Sequence, residues 1–80
     1  STLEVDFVCN LGSRRYYIQS AYRMESDEKI KQEQASLLKV DDSFKKIIVI
    51  GEESPVIRDE SGITTISIYD FLLKDNSLEL

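Results

Sequence analysis

The chain predicts an α/β fold, a small mixed β-sheet of about four strands with a crossover helix on one face, in the order β-β-α-β-β-α. Three observations carry this. Leu3, Val5, Phe7 and Cys9 alternate with Glu4, Asp6, Val8 and Asn10, the period of a half-buried strand. Phe44 to Ile50 ends in an unbroken apolar run before Gly51, as in a central strand covered on both faces. Between these segments lies Ser26-Asp27-Glu28-Lys29, the start of a helix.

The elements follow in order. After the first strand, Leu11-Gly12-Ser13 is a turn signal, and Arg15 to Tyr22 is rich in β-formers. The two runs read as a hairpin. If Gly12-Ser13 is a two-residue loop, Leu3, Val5, Phe7 and Cys9 face Tyr22, Ser20, Ile18 and Tyr16. That almost wholly apolar face is expected to meet the core. The other face pairs Glu4 with Ala21, Asp6 with Gln19 and Val8 with Tyr17. A slip by one residue would set apolar against polar throughout, so loop length and pattern agree.

Ser26 can cap the helix, and two acids follow in its positively polarised first turn. The helix is expected to run to about Leu38, with Ile30, Leu37 and Leu38 as a narrow apolar stripe and Ala35 beside it. Strand, helix and strand then make a crossover unit. Glu52 to Gly62 is acidic, holds the only Pro, and reads as an exposed loop. Ile63 to Ile68 reads as the fourth strand. Ser67-x-x-Asp70 can cap a short helix from Tyr69 to Lys74 that buries Phe71, Leu72 or Leu73. Asp75 to Leu80 is expected to fray.

Composition bounds the function. The 80 residues make one small domain, 1–80, which buries only roughly 60 % of its unfolded surface. The chain begins almost inside its first strand, so the expectation is a piece of a longer protein. With 10 Lys plus Arg against 15 Asp plus Glu, the net charge is −5. The chain has no His, which removes the usual general base, the usual triads and most transition-metal sites. Its single Cys fits a reducing, cytoplasmic compartment. No apolar run approaches the ~20 residues of a membrane helix, so no membrane partner is expected. Gly12, Gly51 and Gly62 each stand alone, so there is no phosphate-binding loop and no nucleotide cofactor is expected in this chain.

Few residues suggest chemistry. Glu4 and Asp6 share a strand face and could hold a hard cation, although a solvated strand face is the plainer reading. Cys9 reads as a small core hydrophobe with no base to activate it. Tyr16, Tyr17 and Tyr22 beside Arg14 and Arg15 could stack on nucleic acid, or simply pack across strands. Lys45 and Lys46 form a second small basic spot, read as solvated. The acidic net charge counts against phosphate binding.

One longer pattern runs through the chain. It joins Glu4-Val5-Asp6-Phe7-Val8, Tyr16 to Tyr22, Ser26-Asp27-Glu28, Asp42 to Val49, Gly62-Ile63 and Ile66 to Leu73. Together these segments resemble the C-terminal domain of a large family of prokaryotic AAA-type ATPases of uncharacterised function. In that family the closing domain is related to PD-(D/E)xK nucleases. The resemblance spans nearly the whole chain and implies a truncated restriction-endonuclease-like core.

The nuclease relatives use an Asp on one hairpin strand and (Asp/Glu)-x-Lys on the next, the carboxylates holding Mg²⁺. Asp6 matches the first Asp, and Gln19-Ser20-Ala21 stands where (Asp/Glu)-x-Lys would be. Gln19 is neutral and Ala21 carries no functional group, so Asp6, Gln19 and Ala21 read as a vestigial site with no metal. The resemblance implies a non-catalytic accessory domain, serving interaction or regulation, whose partner is the ATPase domain of its parent chain. The alternative is a nucleic-acid-binding module that kept the fold without cleavage. Open sheet edges add the expectation of a homodimer.

Overall fold

The computed structural model describes residues 6–21 and 27–80. It is a mixed α/β domain with a five-stranded open sheet, β1 Phe7–Leu11, β2 Arg14–Ala21, β3 Lys45–Ile50, β4 Ile57–Arg58 and β5 Ile63–Ser67, in spatial order β1-β2-β3-β5-β4. Helix α1, Asp27–Leu38, connects β2 to the parallel strand β3. Helix α2, Ile68–Leu73, follows β5, and a 3₁₀ turn, Ser77–Glu79, closes the described chain.

The hairpin forms in the expected register. Phe7 pairs with Ile18, Cys9 with Tyr16 and Leu11 with Arg14, around the two-residue loop Gly12-Ser13. Gly12 has φ +62° while Ser13 has negative φ, which suits the type II′ turn, where the first central residue is Gly. Leu3, Val5, Glu4, Tyr22 and the capping Ser26 lie outside the described residues.

The sheet is covered on both sides. On one face Tyr17, Ala21, Ile48, Ile50 and Ile63 pack under Leu37 of α1, with Val40 at the rim. On the other, Tyr16, Ile18, Ile47, Val49 and Ile66 meet Cys9, Ile68, Phe71 and Leu78. The run in β3 is therefore central and doubly covered, as its continuous hydrophobicity requires.

Five expectations are corrected. The loop between β3 and β5 contains an extra strand, β4, antiparallel to β5. Asp59 organises that turn: its carboxylate accepts from the N–H of Ser61 (2.9 Å) and of Ile63 (3.1 Å), and Gly62 takes φ +87°. The hairpin face predicted to be polar is also core at Tyr17 and Ala21, because α1 lies over it. Conversely Phe7, predicted to be core, is 60 % exposed, because β1 is an edge strand that α2 does not reach across.

The other two concern α1 and the tail. Of the described residues in the α1 stripe, Leu37 is buried whereas Ala35 and Leu38 are exposed. In α2 the residue turned to the core, among the alternatives Phe71, Leu72 and Leu73, is the half-buried Phe71, while Leu72 and Leu73 point to solvent. The tail does not fray: Glu79 accepts from Arg14 (3.1 Å) and Tyr16, and Leu78 packs on the sheet. The predicted cap of α2 is present, with the Asp70 N–H donating to Ser67 Oγ at 3.1 Å.

Candidate functional site

The antiparallel register sets the start of β1 against the end of β2, which brings Asp6 beside Gln19 and Ser20. The Ser20 N–H and hydroxyl both donate to Asp6 Oδ2, at 2.9 and 2.8 Å, and the Asp6 N–H donates to Gln19 Oε1 at 3.3 Å. Two of the three residues singled out in the sequence thus meet at the exposed end of the hairpin. The third does not join them. Ala21 is buried, its methyl among Tyr17, Leu37, Ile48 and Ile50 under α1. Ala21, which the sequence resemblance sets against the nuclease lysine, is thus a core residue.

Chemically this end of the hairpin offers one carboxylate, an amide oxygen and a hydroxyl. Divalent cations such as Mg²⁺ are held through carboxylates, usually more than one or with substrate phosphates. Among the described residues no three acidic or thiol side chains converge where an ion would sit. Glu4, the other acid considered with Asp6, lies outside them.

At the opposite end of the sheet the chain gathers its charges. Lys46, only 9 % exposed, donates to the carbonyls of Asp42 (2.8 Å) and Phe44 (3.1 Å), and its ammonium lies 5.7 Å from the Tyr17 ring centroid. The Tyr17 hydroxyl donates to Asp42, and that hydrogen bond above all holds the Asp42 carboxyl below its ordinary range. Lys45 donates to the carbonyls of Leu78 (2.8 Å) and Leu80 (2.9 Å), and Arg58 joins it on Leu80 at 2.8 Å. Burial, and then the neighbouring Arg58, push the Lys45 ammonium down. The predicted solvated basic spot is therefore a set of cations turned onto the protein's own carbonyls. Arg58 and Glu79 were missed in the sequence because Arg58 arrives on β4, which reads as loop, and Glu79 on a docked tail.

Tyr16 and Tyr17, the aromatic pair considered for stacking on nucleic acid, are both buried on opposite faces of β2. Tyr22 lies outside the described residues. Arg15 donates to Asn10 Oδ1 at 2.9 Å and lies 5.9 Å from the Phe44 ring centroid.

A strongly apolar concavity lies on the α2 side. Phe7, Cys9, Ile18, Val49, Ile68 and Phe71 line a groove of about 570 Å³, open beside the edge strand. Cys9 is half-buried there with a free thiol. No helix among the described residues is long and apolar enough to cross a membrane. No protein-family model, curated protein or solved structure matches this chain.

Proposed function

We propose that the chain is a non-catalytic interaction domain built on a degenerate, truncated restriction-endonuclease-like core, and that it serves a AAA-type ATPase as its accessory C-terminal domain. The sequence resemblance motivates the parentage. The observation that carries the non-catalytic reading is the burial of Ala21. A side chain at this position points under α1 into packed apolar contacts, so the place of the nuclease lysine is used for folding. The Asp6 carboxylate supports the same reading, since its Oδ2 is spent on the backbone and hydroxyl of Ser20. The hairpin, helix and parallel strand in succession agree with the proposed core.

Interaction is favoured over nucleic-acid binding by the cations. Lys45 and Lys46 donate inward to carbonyls, and the groove is lined mostly by apolar side chains and by no basic one. Phosphate recognition needs free cations at the surface.

The test is cleavage and binding in parallel. The 80-residue chain is incubated with plasmid, single-stranded and branched DNA in Mg²⁺ or Mn²⁺, and a salt-dependent gel shift is run on the same substrates. No cleavage and no shift are expected. Cleavage abolished by Asp6→Ala would overturn the reading, and a shift that weakens steeply with salt would favour the nucleic-acid module.

A further inference from the structure

The open edge of β1 has a definite hydrogen-bonding pattern. In a hairpin with a two-residue loop, the closing pair Leu11 and Arg14 exchange backbone hydrogen bonds, and the pattern alternates from there. Phe7, Cys9 and Leu11 therefore direct their N–H and C=O groups toward β2. Val8 and Asn10 direct theirs outward, where the sheet ends among the described residues. The side chains of Phe7, Val8 and Leu11 are each at least half exposed. Nothing along Phe-Val-Cys-Asn-Leu blunts the edge: it has no Pro and no Lys. The other edge is protected by brevity, since β4 is two residues long and Pro55 lies just before it.

This edge is complementary to itself. Two copies of β1 placed antiparallel about a two-fold axis at Cys9 pair all five residues, which no other two-fold register does. Phe7 then faces the partner's Leu11, Val8 faces the partner's Asn10, and Cys9 faces the partner's Cys9. The outward-bonding groups of Val8 meet those of the partner's Asn10, so the ladder is satisfied. Exposed Phe7 covers exposed leucine on the same face and continues the apolar groove. Charge agrees as well. β1 follows directly on Asp6 and ends at a turn followed by Arg14 and Arg15, so the antiparallel arrangement turns each acid toward the other copy's basic end.

We propose that β1 is a homodimer interface, in which two copies of this chain join through antiparallel β1 edges about a two-fold axis at Cys9. The contact is at the small end of specific interfaces, so the dimer is expected to dissociate on dilution. It is independent of the non-catalytic reading above: the cleavage assay tests that reading and the cross-link below tests this one.

The register makes the test sharp. The Cys9 pair falls at a non-hydrogen-bonded position, where opposing Cα atoms approach to about 4.5 Å, within the span a disulfide bridges. The reduced 80-residue chain is followed by sedimentation over a wide concentration range, then oxidised with copper phenanthroline. The expected result is a concentration-dependent dimer and rapid Cys9 cross-linking. Cys9→Ser keeps the non-covalent dimer. In that background Val8→Cys cross-links at least tenfold more slowly, because its counterpart is the partner's Asn10. Val8→Pro removes an outward N–H that β2 does not use, so it gives a monomer with an unchanged circular dichroism spectrum. Val8→Lys serves the same purpose if the proline variant does not fold. A monomer at all concentrations overturns the proposal. So does a dimer unaffected by these edge substitutions, or one whose Cys9 resists cross-linking.

Discussion

The hydroxyl of Tyr16, in the second strand, donates to the carboxylate of Glu79, 63 positions further along the chain. Its neighbour Tyr17 does the same on the opposite face of the sheet, to Asp42. Adjacent residues of one strand point to opposite faces, so two consecutive tyrosines tether two different segments. One pair fixes the tail and the other fixes the loop leading into β3. Both carboxylates are held at the end of the sheet remote from Asp6, and the cations Arg14 and Lys46 complete the two clusters.

These pairs make stability depend on pH from both sides. The hydrogen bond from Tyr16, followed by the charge of Arg14, holds the Glu79 carboxyl below its ordinary value of 4.5. A carboxyl with a lower pKa folded than unfolded binds fewer protons in the fold, so its stabilisation is present above that ordinary value. It fades as pH falls through the ordinary value and the lower folded one. The Tyr16 phenol is raised above its ordinary value of 10, chiefly by the same bond, so its contribution is present below pH 10 and fades as pH rises beyond. Thermal melts of wild type and Glu79→Gln from pH 2 to 8 are expected to differ most near neutrality and to converge in acid. Parallel curves would show that the Glu79 charge does not stabilise the fold.

The core prediction contrasts two apolar residues. Ile48 is fully buried between β2 and β5 beneath α1, whereas Phe7 stands 60 % exposed on the edge. Ile48→Ala removes buried methyl groups and leaves a cavity, costing roughly 2–5 kcal/mol. A chain of this length holds about 4–12 kcal/mol in all, at 0.05–0.15 kcal/mol per residue. Phe7→Ala is expected to cost under about 1 kcal/mol at concentrations where the chain is monomeric, because little of its surface is buried. Urea unfolding followed by circular dichroism distinguishes them. A Phe7→Ala loss as large as that of Ile48→Ala would mean that the edge is covered by something else.

Most of the architecture was readable in the residues, for identifiable reasons. The Gly12-Ser13 turn and the alternation around it could satisfy only one register, and the apolar run of β3 could only be central. What escaped was tertiary. Periodicity gives the faces of a strand but not its place in the sheet, so it could not show that Phe7 lies at an edge or that α1 covers Tyr17 and Ala21. The docked tail depends on pairs such as Tyr16 with Glu79, which leave no local pattern. At the candidate site, the proximity of Asp6 to Gln19 followed from the register, while the burial of Ala21 required knowing where the helix lies. The strand β4 did have a local signal, Asp59 three residues before Gly62 with apolar residues on either side, and the acidic composition of the loop masked it.

That turn supplies the last prediction. Two backbone bonds at Asp59 close a three-residue loop: its N–H donates to the Ile63 carbonyl at 3.0 Å, and its carbonyl accepts from the Gly62 N–H at 3.1 Å. Inside it the Asp59 carboxylate satisfies the N–H groups of Ser61 and Ile63 and accepts from the Ser61 hydroxyl at 2.7 Å. Gly62 supplies the left-handed residue that such loops require, at φ +87°. A methyl group added at Gly62 would meet open space, so any cost of Gly62→Ala is conformational, roughly 1–2 kcal/mol. Asp59→Ala leaves its backbone partners to water and is expected to cost about 1 kcal/mol. Because both act on the same turn, the double variant should fall short of the sum of the singles. Hydrogen exchange should show the loss first in β4 and the adjoining edge of β5, where the pairing is two residues long. If exchange in β4 is unchanged in Asp59→Ala, the carboxylate is not what holds the turn, and the backbone bonds together with Gly62 suffice.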